Sequence, residues 1–68
     1  MNDYYTATAI NNPGKGEMAE YIHLDPVFLC IEAAVFSAAR IGAETIQVHD
    51  HVGLVATADG DGRNIHTY

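Results

Sequence analysis

The sequence predicts an α+β fold: an antiparallel β-sheet of four to five strands, in the order ββαβββ, with one α-helix packed on one face. Three observations lead there. Residues 26–41 (PVFLCIEAAVFSAARI) carry one long apolar stretch of helical period, bounded by Asp25 and Pro26 at its start and Gly42 at its end. On both sides of it, short β-branched and aromatic runs alternate with period 2. Two clusters of turn formers, NNPGKG at 11–16 and DGDG at 59–62, separate the remaining runs. At 68 residues the chain is a single domain, residues 1–68.

Residues 4–10 (YYTATAI) read as a strand, because aromatic and β-branched residues alternate with small polar ones. Residues 17–24 (EMAEYIHL) mix helix formers with a Tyr-Ile-His-Leu run and are taken as a second strand paired with the first. Asp25 is an N-cap residue type and Pro26 suits the first helical position, where a missing N–H costs nothing. The helix then runs to Ile41, and Gly42 supplies the stop. After Gly42 the period changes to 2. ETIQVHD at 44–50 sets Ile46 and Val48 on one face and Thr45, Gln47 and His49 on the other. A turn at 51–53 leads to a strand at 54–58 (LVATA). The Asp-Gly steps at 59–62 turn the chain into a last strand at 63–68.

Composition bounds the function. Nine Asp and Glu oppose three Lys and Arg, a formal net charge of −6, which disfavours direct binding to nucleic acid or to anionic membrane and favours a basic partner. The lone Cys30 excludes an internal disulfide and suits a reducing compartment. No N-terminal apolar run resembles a signal peptide, and Glu32, Ser37 and Arg40 interrupt the longest apolar stretch. The expectation is a soluble, cytoplasmic protein that does not engage a membrane.

One sheet covers only one side of a helix. At about 100° per residue, Val27, Cys30, Ile31, Ala34, Val35, Ala38 and Ile41 share the arc expected to face the sheet. Leu29 and Phe36 fall on the opposite side beside Glu32, Ala33 and Arg40. Leu29, Glu32, Phe36 and Arg40 are therefore the expected seam of a homodimer or of a partner contact, with a covering loop as the alternative.

The topology also brings distant residues to one pole. The strand after the helix returns toward the helix N-terminus, so the corner at 49–53 lies near His23 and Asp25. Asp3, Tyr4 and Tyr5 start there, and the last strand carries His66 and Tyr68 back to it. All four histidines would gather there, while Lys15, Arg40 and Arg63 fall toward the other end. Asp3, Tyr4, Tyr5, His49, Asp50, His51 and Tyr68 are the expected partner-binding residues, since acids with aromatic anchors suit a protein interface. A zinc site on His23, His49, His51 and His66 is a competing reading, resting on an H-x-H spacing that many proteins contain by chance. Acid–base catalysis is disfavoured because so short a chain rarely encloses a substrate pocket. No cofactor or metal is expected. The run TADGDGRN at 57–64 echoes a calcium loop but has Arg63 where an oxygen donor is needed and ends before a bidentate Glu.

The Ala-rich helix (EAAVFSAARIGA), the β-branched strand (ETIQV) and the short meander (GLVATADGDGRNIHTY), in a tiny acidic chain, resemble the small phage-encoded inhibitors of bacterial defence, anti-CRISPR proteins above all. The resemblance is one of layout and covers about two-thirds of the chain. It implies an interaction protein, not an enzyme, that blocks a basic, nucleic-acid-binding host complex by presenting carboxylates where phosphates would lie. The other readings are a homodimeric accessory protein assembled through the outer helix face, and a metal-binding module.

Overall fold

The structure, a computed structural model, describes residues 4–11 and 18–68. Five strands and one helix follow in the expected order: β1 (Thr6–Asn11), β2 (Glu20–His23), α1 (Ile31–Ala39), β3 (Thr45–His49), β4 (Leu54–Asp59) and β5 (His66–Thr67). The strands form one antiparallel sheet in the order β2-β1-β3-β4-β5, and α1 packs across β1 and β3. The fold is α+β.

Alternation decides which side of the sheet the helix takes. Two cross-strand rows, Ala7–Val48–Ala56 and Ala9–Ile46–Ala58, set one large residue of β3 between two alanines. Ala34, Val35 and Ala38 of α1 are buried with them. Small residues on both layers let helix and sheet approach closely, and Ile46, Val48 and Val35 fill the space between. Each of these three contributes roughly 1.5–3 kcal/mol by leaving water. Tyr5, Leu24, Phe28, Ile31, Val55 and Ile65 close the margins of this core while remaining half-buried.

The helix begins five residues later than its punctuation predicts. Phe28 donates its amide to the Tyr5 carbonyl at 2.8 Å and accepts from the Tyr5 amide at 2.9 Å, and Leu24 donates to the Ala7 carbonyl at 3.0 Å. Residues 24–28 thus continue along β1, bending at Asp25 and Pro26, because the edge of β1 needs backbone partners as far as Tyr5. Asp25 does not cap the helix. Cys30 does, with no side-chain hydrogen bond, and is exposed. Val27 is likewise exposed and Ile41 lies exposed past the helix end, so none of Cys30, Val27 and Ile41 belongs to the core arc expected of them. The helix also ends at Ala39, two residues before the expected Ile41; tighter turns, with Ile41 donating to the Ala38 carbonyl and Gly42 to that of Ala39, lead to the expected stop at Gly42, at φ +80°.

The last strand is also shorter than expected. Asp59 donates to the Arg63 carbonyl at 2.8 Å and Gly62 to the Asp59 carbonyl at 2.9 Å, closing the DGDG turn. Asn64 then takes a left-handed φ of 54° and Ile65 turns inward, leaving two residues to pair in β5. The Tyr68 amide adds one bond to the Val55 carbonyl at 2.8 Å. A bulge opposite Val48 and His49 makes Val55 the extra residue of β4 and directs it to the core.

Candidate functional site

The end of the sheet where β3 turns into β4 gathers most of the expected partner-binding residues. Thr6 lies opposite His49, and His49 opposite Leu54, so the starts of β1 and β4 and the end of β3 meet there. Tyr68 reaches the same end through its bond to Val55. Tyr4, His51 and Tyr68 are exposed, His49 and Asp50 are half-buried, and Tyr5 is half-buried against the core through its pairing with Phe28. Asp3 and Lys15 lie outside the described residues.

Asp50 shapes this end. Its Oδ1 accepts the amides of Val52 at 2.8 Å and Gly53 at 3.0 Å, and its own amide donates to the Gly53 carbonyl at 2.9 Å. The Val52 amide first, then that of Gly53, hold the Asp50 carboxyl below its ordinary value. The residue is thus a structural clamp on the 50–53 turn. The sequence reading assigned Asp50 a partner-binding role and did not include this structural one.

Only two of the four histidines reach this end. His23 lies opposite Thr8 and His66 opposite Thr57, both within one row that crosses all five strands: His23–Thr8–Gln47–Thr57–His66. Register, more than strand direction, keeps them from the corner. β3 stops at His49 and the chain turns at Asp50, so His49 and His51 do not share a strand face. Among the described residues, no three His, Cys, Asp or Glu side chains converge as metal ligands.

That row runs along the sheet face opposite α1, which no helix or strand of the described residues covers. Thr8 is 4% exposed there, and its Oγ1 lies 2.9 Å from His23 Nδ1, while Thr57 Oγ1 lies 3.2 Å from the Tyr68 hydroxyl. The sequence reading did not single out this face. Its signal is the Thr-x-Thr alternation of β1, matched by Thr45-x-Gln47 in β3.

Large apolar side chains are distributed unevenly over the surface. Among the described residues, six of the ten that are exposed, Tyr4, Val27, Leu29, Val52, Leu54 and Tyr68, lie at or beside the His49–Gly53 end. The Phe28–Tyr5 pairing is what carries Val27 and Leu29 there. Charge follows a different division. Asp25, Glu32 and Asp50 belong to this end, and Glu20, Glu44, Asp59 and Asp61 to the other. Arg40 and Arg63 both fall at the far end, where Arg63 pairs with Asp61 at 3.7 Å. Among the described residues the near end therefore carries acids, imidazoles and apolar side chains without a permanent cation.

On α1, Glu32, Phe36 and Arg40 stand exposed in one stripe, with Leu29 in the turn ahead of it. The placement matches the expected outer face. Leu29, however, precedes the helix and is not part of it.

Among the described residues no pocket opens that would enclose a small molecule, and no helix is long and apolar enough to cross a membrane. No protein-family model matches the chain, and neither a curated protein nor a solved structure matches it.

Proposed function

We propose that this chain is a non-catalytic protein-binding inhibitor that docks its His49–Gly53 end on a basic partner. The observation that carries the reading is the concentration of six exposed large apolar residues at an end that has acids and no permanent cation among the described residues. Exposed apolar clusters with aromatic members are costly in a free monomer and supply the anchors of interfaces. Carboxylates without cationic neighbours favour a Lys- or Arg-rich surface opposite, and steer its approach. The layout shared with small phage-encoded inhibitors suggests the class of partner: a nucleic-acid-binding complex in the host cytosol, whose phosphate-binding groove these carboxylates occupy.

The test is affinity capture from a bacterial lysate with the wild-type chain and with the double substitution Val52→Glu, Tyr68→Glu as baits. The expected result is a basic nucleic-acid-binding protein retained by the wild type, lost with the variant, and released by competing DNA or RNA. A partner that nucleic acid does not displace would end the phosphate-mimic reading. Equal capture by both baits would remove this end as the site.

A further inference from the structure

The outer stripe of α1 is complementary in charge to its own reverse. Glu32, Phe36 and Arg40 are spaced four residues apart and all three are exposed. Glu32 and Arg40 thus stand about 6 Å to either side of Phe36 along the axis. They are about 12 Å from each other, too far to pair within one helix. Among the described residues the ion pair is Arg63 with Asp61, which involves neither.

We propose that two copies of this chain pair through α1, antiparallel about a twofold axis at Phe36. Glu32 of each copy then meets Arg40 of the other, and the two Phe36 rings fill the centre. A twofold interface must be self-complementary, and an acid, an aromatic and a base at equal spacing satisfy that requirement when the helices run in opposite directions. Charge selects this face for a second copy. Each chain carries a net −6, so most of its surface repels its own kind, whereas this stripe contributes one acid and one base and makes a neutral seam. Ala33 and Ser37, half-buried beside the stripe, leave room for the second helix to approach. Antiparallel pairing also sets each helix N-terminus beside the other's C-terminus, so the backbone dipoles attract. This association shares Glu32 with the border of the proposed docking end but uses neither Val52 nor Tyr68, and it requires no other protein.

The test mixes two variants. Glu32→Arg gives a stripe with two bases, and Arg40→Glu gives one with two acids, so each alone should repel itself. In an equimolar mixture the two bases of one variant face the two acids of the other across the seam. By sedimentation velocity each variant alone should dissociate at least about tenfold more readily than the wild type, and the mixture should recover wild-type association. A mixture as monomeric as its components would overturn the proposal, as would a wild-type chain that stays monomeric up to about 1 mM. Circular dichroism checks that both variants fold. If either does not, dilution of the wild type followed by amide NMR decides the question. Concentration-dependent shifts centred on residues 32–40 support the seam, and shifts confined to the open sheet face or to residues 49–54 overturn it.

Discussion

Replacing Gly60 by alanine tests the tightest point of the fold. Gly60 is buried in the β4–β5 turn, and its amide donates to the Glu44 carbonyl at 2.8 Å. A Cβ built there would lie 1.6 Å from the Ala43 carbonyl oxygen and 2.5 Å from its carbon. Carbon and oxygen in ordinary contact stand more than about 3 Å apart, so the turn must retreat by more than about 1.4 Å. Both obstructing atoms are backbone, and neither can rotate away. The retreat breaks the Gly60–Glu44 bond and strains the Thr45–Asp59 register beside it. Losing a buried backbone hydrogen bond costs about 1–3 kcal/mol, and the displaced turn brings the total to about 3 kcal/mol or more. A chain of this length has a stability of roughly 3–10 kcal/mol, so the variant should lose between a third and all of it. The thermal midpoint, followed by circular dichroism, should fall by about 12 °C or more. Gly42→Ala is the control: its φ is +80° with nothing within 4 Å, so only left-handed strain applies. That strain is worth about 1 kcal/mol and about 4–8 °C. If the two variants melt within a few degrees of each other, the close approach of Gly60 to Ala43 is not what fixes the turn.

The same packing sets three further outcomes. Ile46→Ala should cost about 2–5 kcal/mol in urea unfolding as a fully buried truncation, whereas Phe36→Glu should cost under about 1 kcal/mol; equal losses would place Phe36 in the core. Asp25→Ala should leave the urea-derived stability within about 0.5 kcal/mol of wild type, since the residue does not cap α1, against about 1 kcal/mol for a true cap. The Asp50 carboxyl is held below its ordinary value of 3.8, so its charge stabilises the fold above that value and the effect is lost as pH falls through the lower, folded-state value. Urea midpoints of wild type and Asp50→Asn should therefore differ at neutral pH and converge in acid below 3.8; a gap that persists there would mean the charge is not the source.

Local signals carried much of this fold and missed specific parts of it. The alternation in TATAI, TIQVH and LVATA located β1, β3 and β4, and in β3 it also separated the two faces, because a strand's period shows which residues share a side. The end of α1 was legible for a similar reason, since Gly42 can take a positive φ without strain. Its start was not. Asp25-Pro26 has the chemistry of a helix entry, yet Tyr5, some twenty residues earlier, draws Phe28 into pairing, and nothing local to residues 25–28 records that demand. Register explains the misplaced histidines. Strand directions bring His23 and His66 toward the 49–53 corner, but the pairings of Thr8 and Thr57 stop them within the sheet, and a shift of two residues leaves the pattern of faces unchanged. The structural role of Asp50 had a readable cue, an Asp followed by a glycine three residues on, where a carboxylate can collect turn amides.

The composition of the core bears on function as much as any surface residue does. Among the described residues, six of the nine buried hydrophobic ones are alanines, while ten larger apolar side chains stand exposed. Alanine buries little area, so among the fully buried residues the hydrophobic stabilisation rests chiefly on Ile46, Val48 and Val35, with the half-buried residues at the margin, Phe28 and Ile31 among them, adding to it. Binding that covers the exposed set should therefore add a large fraction of the fold's own stability. A partner present at about 100 times its Kd adds about 2.7 kcal/mol, which in a domain this small raises the thermal midpoint by about 11 °C or more. Thermal shift then becomes a sensitive assay for both proposals, because the two depend on different concentrations. Self-association through α1 should raise the midpoint as the chain itself is concentrated, and Phe36→Glu should remove that dependence. Inhibitor docking should raise it with added partner at fixed chain concentration, and the Val52→Glu, Tyr68→Glu variant should remove that rise alone. A midpoint insensitive to the chain's own concentration and to a captured partner would mean that the exposed apolar surface stays in water, and neither association would then account for it.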